Sequence, residues 1–162
     1  MKSFVALSVL VFTLSACTFH PAPLALNPIG PAPLEERPAS LDQGRLIVYS
    51  AWDPFANRYL VNHTPYTIIS EDGKWVKQVT NHLGPLDDDP ARVLLPAGSY
   101  TVKARSQDYG NIEAPVVIKT GRTTVLYLDG SNHPHPSAAD KSKFVRLPDG
   151  ELVGWAANAS EK

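Results

Sequence analysis

The chain has little sulfur and little charge bias. Of its 162 residues one is cysteine, Cys17, and one is methionine, Met1. A lone cysteine excludes an internal disulfide and any all-cysteine metal site. Fifteen basic and sixteen acidic residues leave a formal net charge of −1. That balance gives no electrostatic footprint for nucleic acid. No apolar run approaches the roughly 20 residues that a membrane-spanning helix needs. Three chemical signatures are also missing: a glycine-rich phosphate loop, a Gly-x-Ser-x-Gly elbow and a His-Glu-x-x-His pair. The familiar routes to nucleotide chemistry, acyl transfer and zinc proteolysis are thereby removed. Within 91–130 no window of three turns carries apolar residues at helical spacing.

What the chain does have is proline, 15 residues unevenly placed, and a 43% apolar content typical of a folded domain. Its length allows one domain with tails. The stretch 91–130 organises the rest. Val93 to Leu95 is a short apolar run that ends at Pro96-Ala97-Gly98, a turn signal. From Ser99 the pattern alternates: Tyr100, Val102 and Ala104 share one face, and Thr101, Lys103 and Arg105 the other. Period two with one polar face predicts a half-buried antiparallel strand. Gln107 to Asn111 is loop chemistry, and Ala114, Val116 and Ile118 share the next apolar face. Thr120-Gly121-Arg122 turns the chain into Thr123–Leu128, rich in β-branched and aromatic residues.

Upstream, Arg45–Ser50 and Tyr66–Ser70 are strand candidates, and Glu71-Asp72-Gly73 turns the second into Lys74–Thr80. Between them runs an irregular stretch, 51–65, long enough to be functional or to cover an edge. Downstream, 131–143 reads as a polar connector. Phe144–Leu147 and Glu151–Trp155 flank Pro148-Asp149-Gly150 as a terminal hairpin, and 156–162 as a tail.

The amino-terminal residues carry a separate message. Lys2 is followed by an apolar run, Phe4 to Leu14, the shape of a secretory signal. Leu14-Ser15-Ala16-Cys17 resembles the lipobox of bacterial lipoproteins. That resemblance implies cleavage before Cys17, lipidation of its thiol and acylation of the new amino terminus, so that several chains anchor the protein stably. Thr18 is not the aspartate that in many Gram-negative bacteria retains lipoproteins in the inner membrane, which points to the outer membrane. Residues 17–44 then read as a lipidated cysteine and a disordered proline-rich tether, with Pro21, Pro23, Pro28, Pro31, Pro33 and Pro38; the competing reading is that some of this segment packs onto the domain. Fully extended at about 3.1 Å per residue, such a tether would reach roughly 80 Å.

The strand candidates over 45–130 predict an all-β fold, a small antiparallel β-sandwich, with the hairpin and tail in 131–162. Leu95, Pro96, Gly98, Tyr100, Val102, Gly121 and Leu128 follow a pattern that resembles the transthyretin-like fold of carboxypeptidase regulatory-like and PEGA-type domains. The resemblance implies an Ig-like sandwich used as an accessory or surface module, and it brings no catalytic residues.

Candidate chemistry is sparse. Asp87-Asp88-Asp89 has oxygen ligands for calcium but no EF-hand spacing, so a solvated acidic loop is expected. His133 and His135, near Asp129, would need His63 or His82 to complete a zinc site, and no third ligand is fixed. No metal, cofactor or catalytic residue is therefore expected. Loop aromatics are the binding candidates: Trp52, Phe55, Tyr59 and Tyr109. The competing reading is that Trp52, Phe55 and Tyr59 fold back to close the core. Trp75, Tyr100 and Tyr127 are expected in the core itself. The expectation is a lipid-anchored cell-envelope protein, facing the periplasm or exterior, whose sandwich binds or scaffolds an envelope protein or glycan without catalysis. The alternative is a metal-binding or hydrolytic accessory factor acting on envelope polysaccharide. Convergence of His63, His82, Asp87, Asp89, His133 or His135 in one concave site would favour the alternative. Exposed aromatics or a bare sheet edge would favour binding.

Overall fold

A computed structural model describes residues 24–32, 42–53, 62–81, 89–131, 133 and 143–157. The expected signal segment over 1–16 and the lipidation of Cys17 lie outside these residues, as do Phe55, Tyr59, His82, Asp87 and His135. The described chain is all-β, with ten strands: β1 (Ile29–Gly30), β2 (Gln43–Tyr49), β3 (Tyr66–Ser70), β4 (Trp75–Val79), β5 (Arg92–Pro96), β6 (Gly98–Ser106), β7 (Gly110–Ile118), β8 (Thr123–Tyr127), β9 (Phe144–Arg146) and β10 (Leu152–Ala156). No helix among the described residues is long and apolar enough to cross a membrane.

The strands form two sheets, ordered β4-β3-β6-β7-β1-β10-β9 and β5-β2-β8. Local turns set most neighbours. The Asp72-Gly73 turn, with Gly73 at φ 79°, joins β3 to β4. Ser106 pairs with Gly110, so β6 and β7 run antiparallel over their full length. β7 therefore begins at Gly110, inside what reads as a loop in the sequence. β9 and β10 pair antiparallel across the Pro148-Asp149-Gly150 turn.

Alternation sorts the faces as a half-buried sheet demands. Leu46 and Val48 of β2, Val93 and Leu95 of β5, and Leu126 of β8 point inward from the small sheet. They meet Ile68, Val102, Ala104, Ile112, Ala114, Val116 and Ile118 of the large sheet in one continuous core. Gly44 lets β2 approach the large sheet closely: a Cβ there would lie 2.3 Å from the Lys119 carbonyl oxygen.

Three expectations need correction. The sheets are mixed, not antiparallel: β2 runs parallel to β8, and β1 parallel to β7. A strand whose neighbour is distant in sequence has no hairpin turn to force the antiparallel direction. Second, the stretch read as tether is part of the domain over 24–32. Ile29 is 0% exposed, pairs with Val116 on one side and Ala156 on the other, and joins the terminal strands to the rest of the sheet. Pro28 and Pro31 stand at the ends of this two-residue strand, where a missing N–H does least harm. The chain then crosses to the small sheet, where Pro31 bridges Thr124 and Ala32 N–H donates to the Thr123 carbonyl at 2.9 Å. Third, Trp75 is not core but 67% exposed on the edge strand β4. Lys77 of that strand pairs with the fully buried Ile68 and is itself exposed. A charge at that position of an edge discourages pairing with another chain.

Candidate binding site

The parallel register of β2 and β8 sets Tyr49 beside Tyr127, the last residue of each strand, with ring centroids 5.3 Å apart and nearly stacked. Leu128 N–H donates to the Tyr49 carbonyl at 2.7 Å and holds this end of the pair together. The chain then turns at Asp129-Gly130, where Ser131 N–H donates to Asp129 Oδ1 at 3.3 Å, an Asx turn. That turn returns His133 over both rings, its centroid 4.4 Å from Tyr49 and 4.4 Å from Tyr127. His133 Nε2 lies 2.8 Å from Asp129 Oδ1 and 3.1 Å from Oδ2. The Asp129 side chain is 1% exposed. Burial pushes its carboxyl up, but the hydrogen bond and charge of His133 and the Ser131 N–H outweigh this and hold it below the ordinary range.

The rings continue outward. Tyr127 meets Trp155 edge-on at 6.0 Å, and Trp155 meets Phe144 at 6.0 Å. Trp155, Ala32 and Val125 form a second small cluster that seals the outer face of β8. Beside it a cavity of about 260 Å³ is lined by Tyr127, Gly130, Ser131, His133, Arg146 and the Gly150–Leu152 stretch. The Arg146 guanidinium donates to the Gly150 carbonyl and lies 5.4 Å from the Phe144 ring centre. Burial, then the neighbouring carboxylates of Asp149, Asp108 and Asp129, push the Glu151 carboxyl above its ordinary value, with His133 offsetting part of this. The cavity thus combines aromatic side chains with a guanidinium and a carboxylate. Aromatic surface with a few placed polar groups is the usual make-up of a small-ligand pocket. Its volume is below the roughly 300–1,000 Å³ of drug-sized sites, so it has room for one small group.

Asp108, Asp149 and Glu151 present carboxylate oxygens within 4.8 Å of one another, at the mouth of this region. Oxygen is the right donor for a hard cation. Asp108 and Asp149 are exposed, however, and water competes there for any ion.

His63 belongs to a different construction. Its ring stacks on Trp52 at 4.2 Å, and Trp52 and His63 form an isolated strand bridge. His63 Nδ1 donates to the Ser50 carbonyl at 2.6 Å. Ser50 Oγ donates to the Thr64 carbonyl at 2.6 Å, and Asn81 Nδ2 donates to both the Val48 carbonyl and Ser50 Oγ at 2.8 Å. Asn81, at φ 64°, is the one non-glycine residue with positive φ among those described, a conformation Asn tolerates best. This buried network ties the two ends of the 51–65 stretch to the end of β2. Tyr49 lies between the two histidines, 5.7 Å from His63, and only His133 lines the cavity.

Two of the four aromatic candidates fall among the described residues. Trp52 is half-buried against His63. Tyr109 is half-buried too, and its hydroxyl accepts a 3.0 Å hydrogen bond from Asp149 N–H, which pins the Pro148-Asp149-Gly150 turn to the β6–β7 turn. Both act as ties. Sequence reasoning missed Tyr49, Arg146 and Glu151 as site residues and took Tyr127 for core. The usable signal was that β2 and β8 each end on tyrosine. Comparison with family models, with curated proteins and with solved structures found no match for this chain.

Proposed function

We propose that this is a lipid-anchored protein of the cell envelope, placed in the outer membrane, whose transthyretin-like β-sandwich binds a glycan without transforming it. The observation that carries the reading is the cavity on the Tyr127–His133 rings with Arg146 and Glu151 at its wall. A ring face takes the C–H side of a sugar, and a guanidinium with a carboxylate takes its hydroxyls. Binding is favoured over hydrolysis because His63 and His133 do not converge in one concave site: His63 is held on the Ser50 carbonyl, and of the two only His133 lines the cavity.

The test uses the full chain in detergent micelles, titrated with soluble peptidoglycan fragments and followed by tyrosine and tryptophan fluorescence. Saturable binding that Tyr127→Ala weakens by about tenfold or more supports the reading, a loss of about 1.4 kcal/mol. Equal binding by both forms, or none by either, overturns it. A second reading, scaffolding of an envelope protein, is favoured by Trp75, the most exposed large apolar side chain described. Exposed tryptophans are frequent anchors of protein interfaces. In that case Trp75→Ala, not Tyr127→Ala, removes the partner from cross-linked membranes. The anchor has its own test: Cys17→Ala should leave the membrane fraction.

A further inference from the structure

The insertion of β1 changes how far the domain can stand from its anchor. Ala25 bridges Glu113, three residues into β7, and Ile29 pairs with Val116 further along the same strand. The start of β7 is the loop end of the domain. Ala51 N–H donates to the Arg105 carbonyl, Gln107 N–H to the Leu128 carbonyl, and Asp149 N–H to the Tyr109 hydroxyl. These contacts gather the ends of β2, β6 and β8, and with them the ring-lined cavity. The opposite end carries the turn at Gly121, the Pro96–Gly98 turn and the tip of the β3–β4 hairpin, since Gly98 pairs with Ile118 and Ser70 with Tyr100.

From Cys17 to Leu24 there are seven Cα–Cα steps, a reach of at most about 25 Å. The nine residues of β7 alone span roughly 30 Å. We infer that β1 turns the expected long tether into a short leash that holds the loop end of the domain, cavity included, against the lipid headgroup layer carrying the anchor. The β3–β4 hairpin with Trp75 then projects away from the membrane. This inference rests on the lipid-anchor reading of Cys17.

Because Cys17 is the single cysteine and lipidation consumes its thiol, one introduced cysteine gives one labelling site. Asn111→Cys reports on the loop end and Thr120→Cys on the far end; both positions are exposed. The lipidated full chain is labelled with a fluorophore and placed in liposomes containing a nitroxide-headgroup lipid. Quenching at 111 should exceed that at 120 by about threefold or more, given the strand length between them. Equal or reversed quenching overturns the orientation. Inserting about twenty Gly/Ser residues after Thr18 should bring the ratio near one, because such a linker is a flexible coil. A ratio unchanged by the insertion overturns the leash as its cause. A Cys17→Ala form that still floats with liposomes overturns the anchor reading instead.

Discussion

Leu24–Ala32 and the β4 strand exchange the places their sequences suggest. The first is proline-rich and without periodicity, yet Ile29 is 0% exposed at the junction of β7 and β10. The second alternates and carries a tryptophan, yet Trp75 is 67% and Val76 38% exposed. Periodicity describes which residues share a face; it does not say whether another layer reaches that face. β4 is the outermost strand of its sheet, and only Val79 of it is buried. β1 succeeds with two residues because the gap between β7 and β10 accepts one large side chain and closes over it.

The first way to break this comparison is to empty that gap. Ile29→Ala should destabilise the domain by about 2–5 kcal/mol, read from the urea midpoint, as for other large-to-small core changes. A loss below about 0.5 kcal/mol would mean that 24–32 lies on the domain without holding it. Next comes the wall of the gap. A Cβ on Gly154 would sit 2.6 Å from Ile29 Cγ2 and 2.9 Å from the Val125 carbonyl oxygen. Gly154→Ala should therefore cost about 1–3 kcal/mol through overpacking. Amide exchange across Leu152–Ala156 should accelerate; unchanged protection would refute the tight packing.

A smaller effect concerns the ring site. Asp129 ionises below the ordinary carboxylate range when folded. It therefore contributes stability that is present above the unfolded value, about pH 4, and lost as pH falls through the lower folded value. In Asp129→Asn the acid limb of the stability curve should be shallower there; superimposable limbs would sink the pairing with His133. Smallest of all, Trp75→Ala should change stability by no more than about 0.5 kcal/mol, whatever it does to a partner. A core-sized loss would restore the sequence-based expectation.

Which features were legible follows from their range. Gly73, Gly98, Gly121 and Gly150 all take positive φ, and each lies in a turn marked in the sequence by its dipeptide or tripeptide. The Val102–Ala104 face is legible because alternation is local. β1 is not, since two residues have no period. The β2–β8 pairing is not either, because nothing in 45–49 names 123–127 as a neighbour. The site shares that fate: Tyr49 and Tyr127 become adjacent only through the parallel register. Trp52 and Tyr109 were legible as aromatic loop residues. Their roles depend on His63 and Asp149, partners that no spacing rule selects.

The pairing of Ile29 with Ala156 also bears on how the chain reaches its native state. Contacts between residues this far apart close late, because a long loop must be ordered before they return any free energy. Until β10 is made and docked, Ile29 has a partner on one side only and its apolar side chain stands uncovered. The first and last strands of the described chain are thus neighbours in the large sheet, and closing that sheet spans the whole described domain.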